Sequence, residues 1–235
     1  MAKMVGYACP LNLRWLKKGV QLLEDNLDEK EYKEKLNEYL SFEIESPTRL
    51  RKTREMIMNI WFYDSEELSP FRKVAFDLIK KYPEYEAAIN LCLIYIAYPV
   101  VADICKNMGK VFEFNDTVTN TTMKKKLYDE WGERASLETT SRRVSLTLKE
   151  FSILTNETRT RYKLNKTIIT NDSVIAFLLS VAIHNDGNSY YSFPELSGFN
   201  ILFPFDFNIS KEAILNDERF IVSNFGGEMT VSLKE

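Results

Sequence analysis

One histidine, His184, three cysteines and eight scattered glycines are the stock from which this 235-residue chain could build the commoner catalytic centres. A zinc site needs several close Cys or His ligands, and Cys9, Cys92 and Cys105 lack that spacing. A Ser-His-Asp or Cys-His arrangement would turn on His184 alone, with no Gly-x-Ser-x-Gly elbow to support it. No Gly-x-x-x-x-Gly-Lys loop is present, and Gly226-Gly227 lies between strand-like runs, not ahead of a helix. The acidic pairs Glu66-Glu67 and Asp217-Glu218 sit in polar runs where solvation accounts for them. The chain therefore reads as non-enzymatic, without cofactor or metal, and His184 reads as a structural side chain at a helix end.

Charge is more informative. From Lys124 to Lys166 eleven basic side chains stand against six acidic ones, an excess of five, which leaves the rest of the chain at about −8 given an overall −3. Residues 168–235 carry three basic and nine acidic side chains. Such a local concentration is what phosphate contacts need, because each neutralised phosphate releases counterions. Candidate DNA-contacting residues here are Lys124, Lys125, Arg142, Arg143, Arg159, Arg161 and Lys163. The competing reading is that these cations solvate an amphipathic helix and guard an edge hairpin. A second cluster, Arg49, Arg51, Lys52 and Arg54, opens a helix where acids are usually favoured. A phosphate or acidic partner would offset that cost, as would projection into water.

The elements that must position these residues follow from periodicity and caps. Apolar residues at helical spacing predict a helix from Leu13 and another behind a capping Asp28. Ser46-Pro47 and Ser69-Pro70 each read as a cap followed by a first-turn proline. From Glu84 to about Phe112 nearly every second residue is apolar, which reads as a central helix or a pair broken at Pro99. Asn115 to Thr122 is polar and reads as a linker. Beyond it come a helix from Met123 to Trp131, a break at Gly132, and a helix from about Ser136 that would present Thr139, Thr140, Ser141, Arg142 and Arg143. Two strand-like runs, Thr158 to Leu164 and Thr167 to Thr170, predict a hairpin turning at Asn165-Lys166. Helix, turn, helix and hairpin is a winged-helix order. A helix from Asp172 to His184 and a hairpin around Gly226-Gly227 suggest a final α+β lobe.

The expected organisation is a mainly α protein: a helical bundle over residues 1–115, a winged-helix-like α+β segment over 123–170, and a C-terminal lobe over 171–235. The amino-terminal MAKMVGYACPLNLRW lacks the layout of an export signal, and Ala87 to Ala102 falls short of the roughly 20 residues that span a bilayer. The unpaired cysteine usage fits a reducing compartment, so a cytoplasmic protein with no membrane partner is expected.

Ser46-Pro47-Thr48-Arg49-Leu50-Arg51-Lys52-Thr53-Arg54-Glu55-Met56-Ile57, the apolar helix Ala87 to Cys105, and Glu130-Trp131-Gly132-Glu133 with Ser141-Arg142-Arg143 resemble the BrxA family, small accessory proteins of BREX bacteriophage-defence islands. The resemblance spans about residues 10 to 170. It implies a NusB-like helical bundle, a winged-helix-like part, binding to double-stranded DNA, and a non-enzymatic role beside other phage-defence subunits. By position it favours Arg49, Arg51, Arg54, Arg142 and Arg143. The acidic, aromatic tail after Asp172 departs from the family pattern. That tail (Tyr190, Tyr191, Phe193, Phe199, Phe203, Phe205 and Phe207) motivates a second reading, a protein-interaction adaptor that makes no DNA contact.

Overall fold

A computed structural model describes residues 6–234; residues 1–5 and 235, the outer ends of the first and last expected segments and part of the stretch read against export, lie outside the described residues. The molecule is mostly helical. Helices α1 (Leu13–Leu23), α2 (Glu29–Ser41), α3 (Pro47–Trp61) and α4 (Ser69–Lys81) lead into α5 (Glu86–Ala97) and α6 (Pro99–Phe112). Three of these starts follow from capping chemistry. Asn12 accepts a hydrogen bond from the Arg14 amide, Asp28 and Glu31 form a reciprocal capping box, and Ser46 accepts from the Arg49 amide ahead of Pro47. The Ser69-Pro70 start differs: Ser69 lies inside α4, and its hydroxyl accepts from the Ser65 amide instead of capping.

Pro99 lacks the amide that would continue α5 and suits a first helical turn, so α6 leaves α5 at 119°. No single helix among the described residues is long and apolar enough to cross a membrane. The apolar run of α5 is buried from Ala88 to Ile96 and packs on α9 (Asp172–Asp186), buried from Val174 to Ile183. Two polar groups between α3 and α5 pair with each other: Trp61 donates from Nε1 to Asn90 Oδ1 at 3.0 Å, and Asn90 donates onward to the Glu86 carbonyl. Gly109 of α6 lets the backbone of Asn200 approach so closely that a Cβ there would lie 2.0 Å from its carbonyl oxygen.

Between α6 and α9 lie β1 (Thr117–Thr119), α7 (Asn120–Trp131), α8 (Ala135–Glu150), β2 (Leu154–Asn156), β3 (Arg161–Leu164) and β4 (Thr167–Ile168). The segment read as a linker thus holds a strand and the start of α7, capped by Thr119. Strands pair antiparallel in the order β1-β3-β2. The expected hairpin between Thr158–Leu164 and Thr167–Thr170 does not form. Leu164 pairs with buried Leu154, and Asn165 binds the carbonyls of Ile153 and Ser152, so the chain turns at Glu157–Thr160 instead. Thr167–Ile168 runs parallel to β6 (Phe205–Asp206). The burial of Leu154 outweighs the turn propensity of Asn165-Lys166.

After α9 come β5 (Tyr191–Ser192), β6, α10 (Lys211–Leu215), β7 (Phe220–Phe225) and β8 (Glu228–Leu233), with a sheet ordered β5-β8-β7 and a tight turn at Gly226-Gly227, both at positive φ. Buried side chains from Tyr7 to Val231 belong to a single hydrophobic cluster that draws on all three expected segments.

Glu86, in the first turn of α5, is 7 % exposed; one carboxylate oxygen lies 3.6 Å from Lys17 Nζ and the other has no partner. Burial raises its pKa and Lys17 only partly counters this. The folded state therefore binds the proton more tightly than the unfolded chain, and stability is lost as pH rises through the folded pKa. Glu86→Gln is expected to unfold at higher denaturant than the parent at pH 7, with the advantage shrinking towards about pH 4, where both states of the parent protonate. Equilibrium denaturation at the two pH values checks this.

Candidate nucleic-acid interface

The segment ahead of α1, Tyr7 to Leu11, lies as a strap between α3 and α8. Thr147 of α8 fastens it. The Thr147 hydroxyl donates to the Arg143 carbonyl at 3.2 Å, and its oxygen accepts from the Leu11 amide at 2.9 Å. Its one proton is thereby used, so the buried Tyr7 hydroxyl donates to it at 2.7 Å. Arg143 donates from Nη1 to the Tyr7 carbonyl at 3.1 Å. On the other side Cys9 Sγ lies 3.2 Å from the Thr53 hydroxyl of α3 and 3.4 Å from Met56 Sδ.

This clamp joins the two basic clusters. Burial pushes the Cys9 thiol up, while the Thr53 hydrogen bond and then the charges of Arg49, Arg143 and Lys52 pull it down, so charges on both α3 and α8 act on this one side chain. Arg49, Arg51 and Lys52 are exposed, and none has an ion pair or side-chain hydrogen bond among the described residues. Exposed Arg142 also lacks one, although its charge helps hold the Glu138 carboxyl below the usual range, after the larger effect of Lys124.

The remaining expected residues are less available. Arg54 is half-buried, with its guanidinium on Glu55 at 2.6 Å and on Asn37 at 3.3 Å. Lys124 pairs with Glu138 at 2.7 Å and lies over the Tyr128 ring, whereas Lys125 is exposed. On β3, Arg161 and Lys163 share the outer face because Tyr162 between them is buried; Arg161 sits 3.5 Å from Glu157 and Arg159 is exposed at the turn.

Helix α8 does not present the row expected of it. Thr140 and Ser141 are buried, at 1 % and 4 % exposed, because they fall on the face of Leu137, Val144 and Leu148. The exposed row is Glu138, Arg142, Leu146 and Glu150, and Glu150 accepts from Asn12 at 2.6 Å. Of the tail aromatics, Tyr191 and Phe205 are buried, Phe193, Phe199, Phe203 and Phe207 pack against the core, and Tyr190 alone of the seven is exposed. His184 sits against the Phe71 ring, with centroids 5.1 Å apart.

Sequence reasoning missed the strap and Thr147. The signal was the short run Tyr7-Ala8-Cys9-Pro10-Leu11 before the first helix, whose partner lies about 140 positions away. Thr147→Val leaves the Tyr7 hydroxyl and Leu11 amide unpaired and is expected to destabilise the fold by about 1–3 kcal/mol. It should also speed alkylation of Cys9, which is 6 % exposed, relative to Cys92 and Cys105. Site-resolved thiol labelling by mass spectrometry reads both the slow parent rate and its increase.

No family model matches the chain, and neither a curated protein nor a solved structure matches it.

Proposed function

We propose that this chain is a non-enzymatic accessory protein that binds double-stranded DNA through the face formed by the start of α3, the strap and α8, and that it serves a BREX-type phage-defence system beside other subunits. The observation that carries the DNA reading is the strap itself, held to Arg143 of α8 through the Tyr7 carbonyl and to Thr53 of α3 through Cys9, which sets the exposed cations Arg49 and Lys52 of α3 beside α8. Clustered cations without carboxylate partners bind little within their own chain, yet on a polyanion each releases counterions. The acidic remainder of the molecule repels DNA elsewhere and so favours this one face.

Chain order supports the winged-helix part of the reading. Helix α6, β1, α7, α8, β2 and β3, with sheet order β1-β3-β2, follow the succession of a winged-helix unit in which α8 would be the recognition helix and β2-β3 the wing. Helices α1 to α5 would be the NusB-like bundle implied by the resemblance. With Arg142 as the one cation in the exposed row of Glu138, Leu146 and Glu150, α8 offers little base readout, so affinity comes from phosphate contacts and sequence discrimination is small. The defence role rests on the family resemblance, and recovery of neighbouring defence subunits with the tagged chain tests it.

A mobility shift with duplex DNA at low salt tests the binding. Lys52→Gln with Arg142→Gln, one from each helix, is expected to weaken binding at least tenfold, at about 1 kcal/mol or more per lost contact. Absence of duplex binding, or affinity unchanged in this variant, overturns the reading; recovered partners without duplex binding would favour the adaptor.

A further inference from the structure

Beside the basic face, α3 and the bend between α5 and α6 enclose an open groove of about 460 Å³. Along its α3 wall Lys52, Met56 and Asn59 recur at helical spacing, so the wall passes from cation to thioether to amide over about 10 Å. Exposed Pro99 and half-buried Ala97 form the facing wall over buried Tyr98 and Val100, and Gly6, with Ala8 of the strap, closes one side. The side-chain amide of Asn59 donates to the Tyr98 hydroxyl at 3.3 Å and its Oδ1 has no partner among the described residues, while the backbone carbonyl accepts from Arg72. The one carboxylate in the lining, Glu55, is taken up by Arg54 at 2.6 Å and by the Tyr63 hydroxyl at 3.0 Å. Arg51 stands with Lys52 at the cationic end.

A single nucleotide has this polarity: a phosphate, a flat apolar ring face, and an edge of donors and acceptors. We propose that the groove takes one unstacked base of a DNA strand, with its phosphate on Arg51 and Lys52, its ring against Ala97 and Pro99 above the buried Met56 and Tyr98, and its edge at Asn59. The proposal rests on the DNA reading above, since Lys52 belongs to both surfaces and makes the groove continuous with the duplex face. Stacking on apolar and aromatic side chains holds single-stranded bases with little regard to sequence, and an amide can pair with a base edge that sets an amino donor beside a ring nitrogen, as adenine and 2-aminopurine both do.

The test uses the full chain and two duplexes, one blunt and one with a short single-stranded extension carrying 2-aminopurine. The extended duplex is expected to bind about tenfold more tightly, the fluorophore signal changing as its ring enters the groove. Ala97→Trp, which fills the groove, should abolish both the preference and the fluorescence change while blunt-duplex affinity stays. Asn59→Asp, on an exposed side chain, should reduce the preference where Ala97→Trp does not fold. Equal affinity for both duplexes, or a preference that survives Ala97→Trp, overturns the groove assignment and leaves the duplex reading intact. Extension binding without blunt-duplex binding supports the groove and overturns the duplex reading. An acidic apolar peptide that binds here while the extension does not overturns the choice of occupant.

Discussion

One hydroxyl, that of Thr147, holds the amino-terminal strap against α8. It is buried and serves three partners at once, donating to a carbonyl one turn back in its own helix and accepting from Tyr7 and Leu11. Such a group tolerates no ready substitute: valine keeps its shape and loses every bond, and serine keeps the bonds and loses the methyl that packs. Because the strap is fixed there, Cys9 meets α3 and Arg143 meets the Tyr7 carbonyl. The charge geometry of the candidate interface is a consequence of that fixing.

The arrangement also explains how positive side chains survive side by side. Arg143 spends part of its hydrogen-bonding capacity on a backbone carbonyl, and the others project into water, where like-charge repulsion is screened beyond about 8–10 Å at ordinary salt. Where cations of the same segments do have acids nearby, as Arg54, Lys124 and Arg161 do, they pair within their own neighbourhood. The formal excess of five across Lys124 to Lys166 therefore overstates what one face offers, and the contribution of α3 makes up the difference.

Local chemistry was readable in the sequence and long-range pairing was not. Caps at Asp28 and Ser46 and the break at Pro99 act within a turn of the chain, so the starts of α2 and α3 and the α5-α6 bend follow from neighbouring residues, while the Asn12 cap of α1 emerges only in the structure. The hairpin differs from the expected one because Asn165-Lys166 looks like a turn locally, while buried Leu154, ten residues before Leu164, pairs with it and sets the register. Likewise Thr140 and Ser141 looked like solvent-facing hydroxyls, and only the packing of α8 turns them inward. The basic residues were identifiable by type; their meeting across the strap depends on a contact between residues 7 and 147, which no periodicity announces.

The central claim is that α3 and α8 act on DNA as one surface because the strap joins them, and the salt dependence of duplex affinity in Thr147→Val tests it most directly. This substitution removes no charge. If the strap aligns the two clusters, the slope of log affinity against log salt becomes shallower by at least about one phosphate contact relative to the parent. A folded Thr147→Val protein that binds duplex with the parent slope would contradict the account.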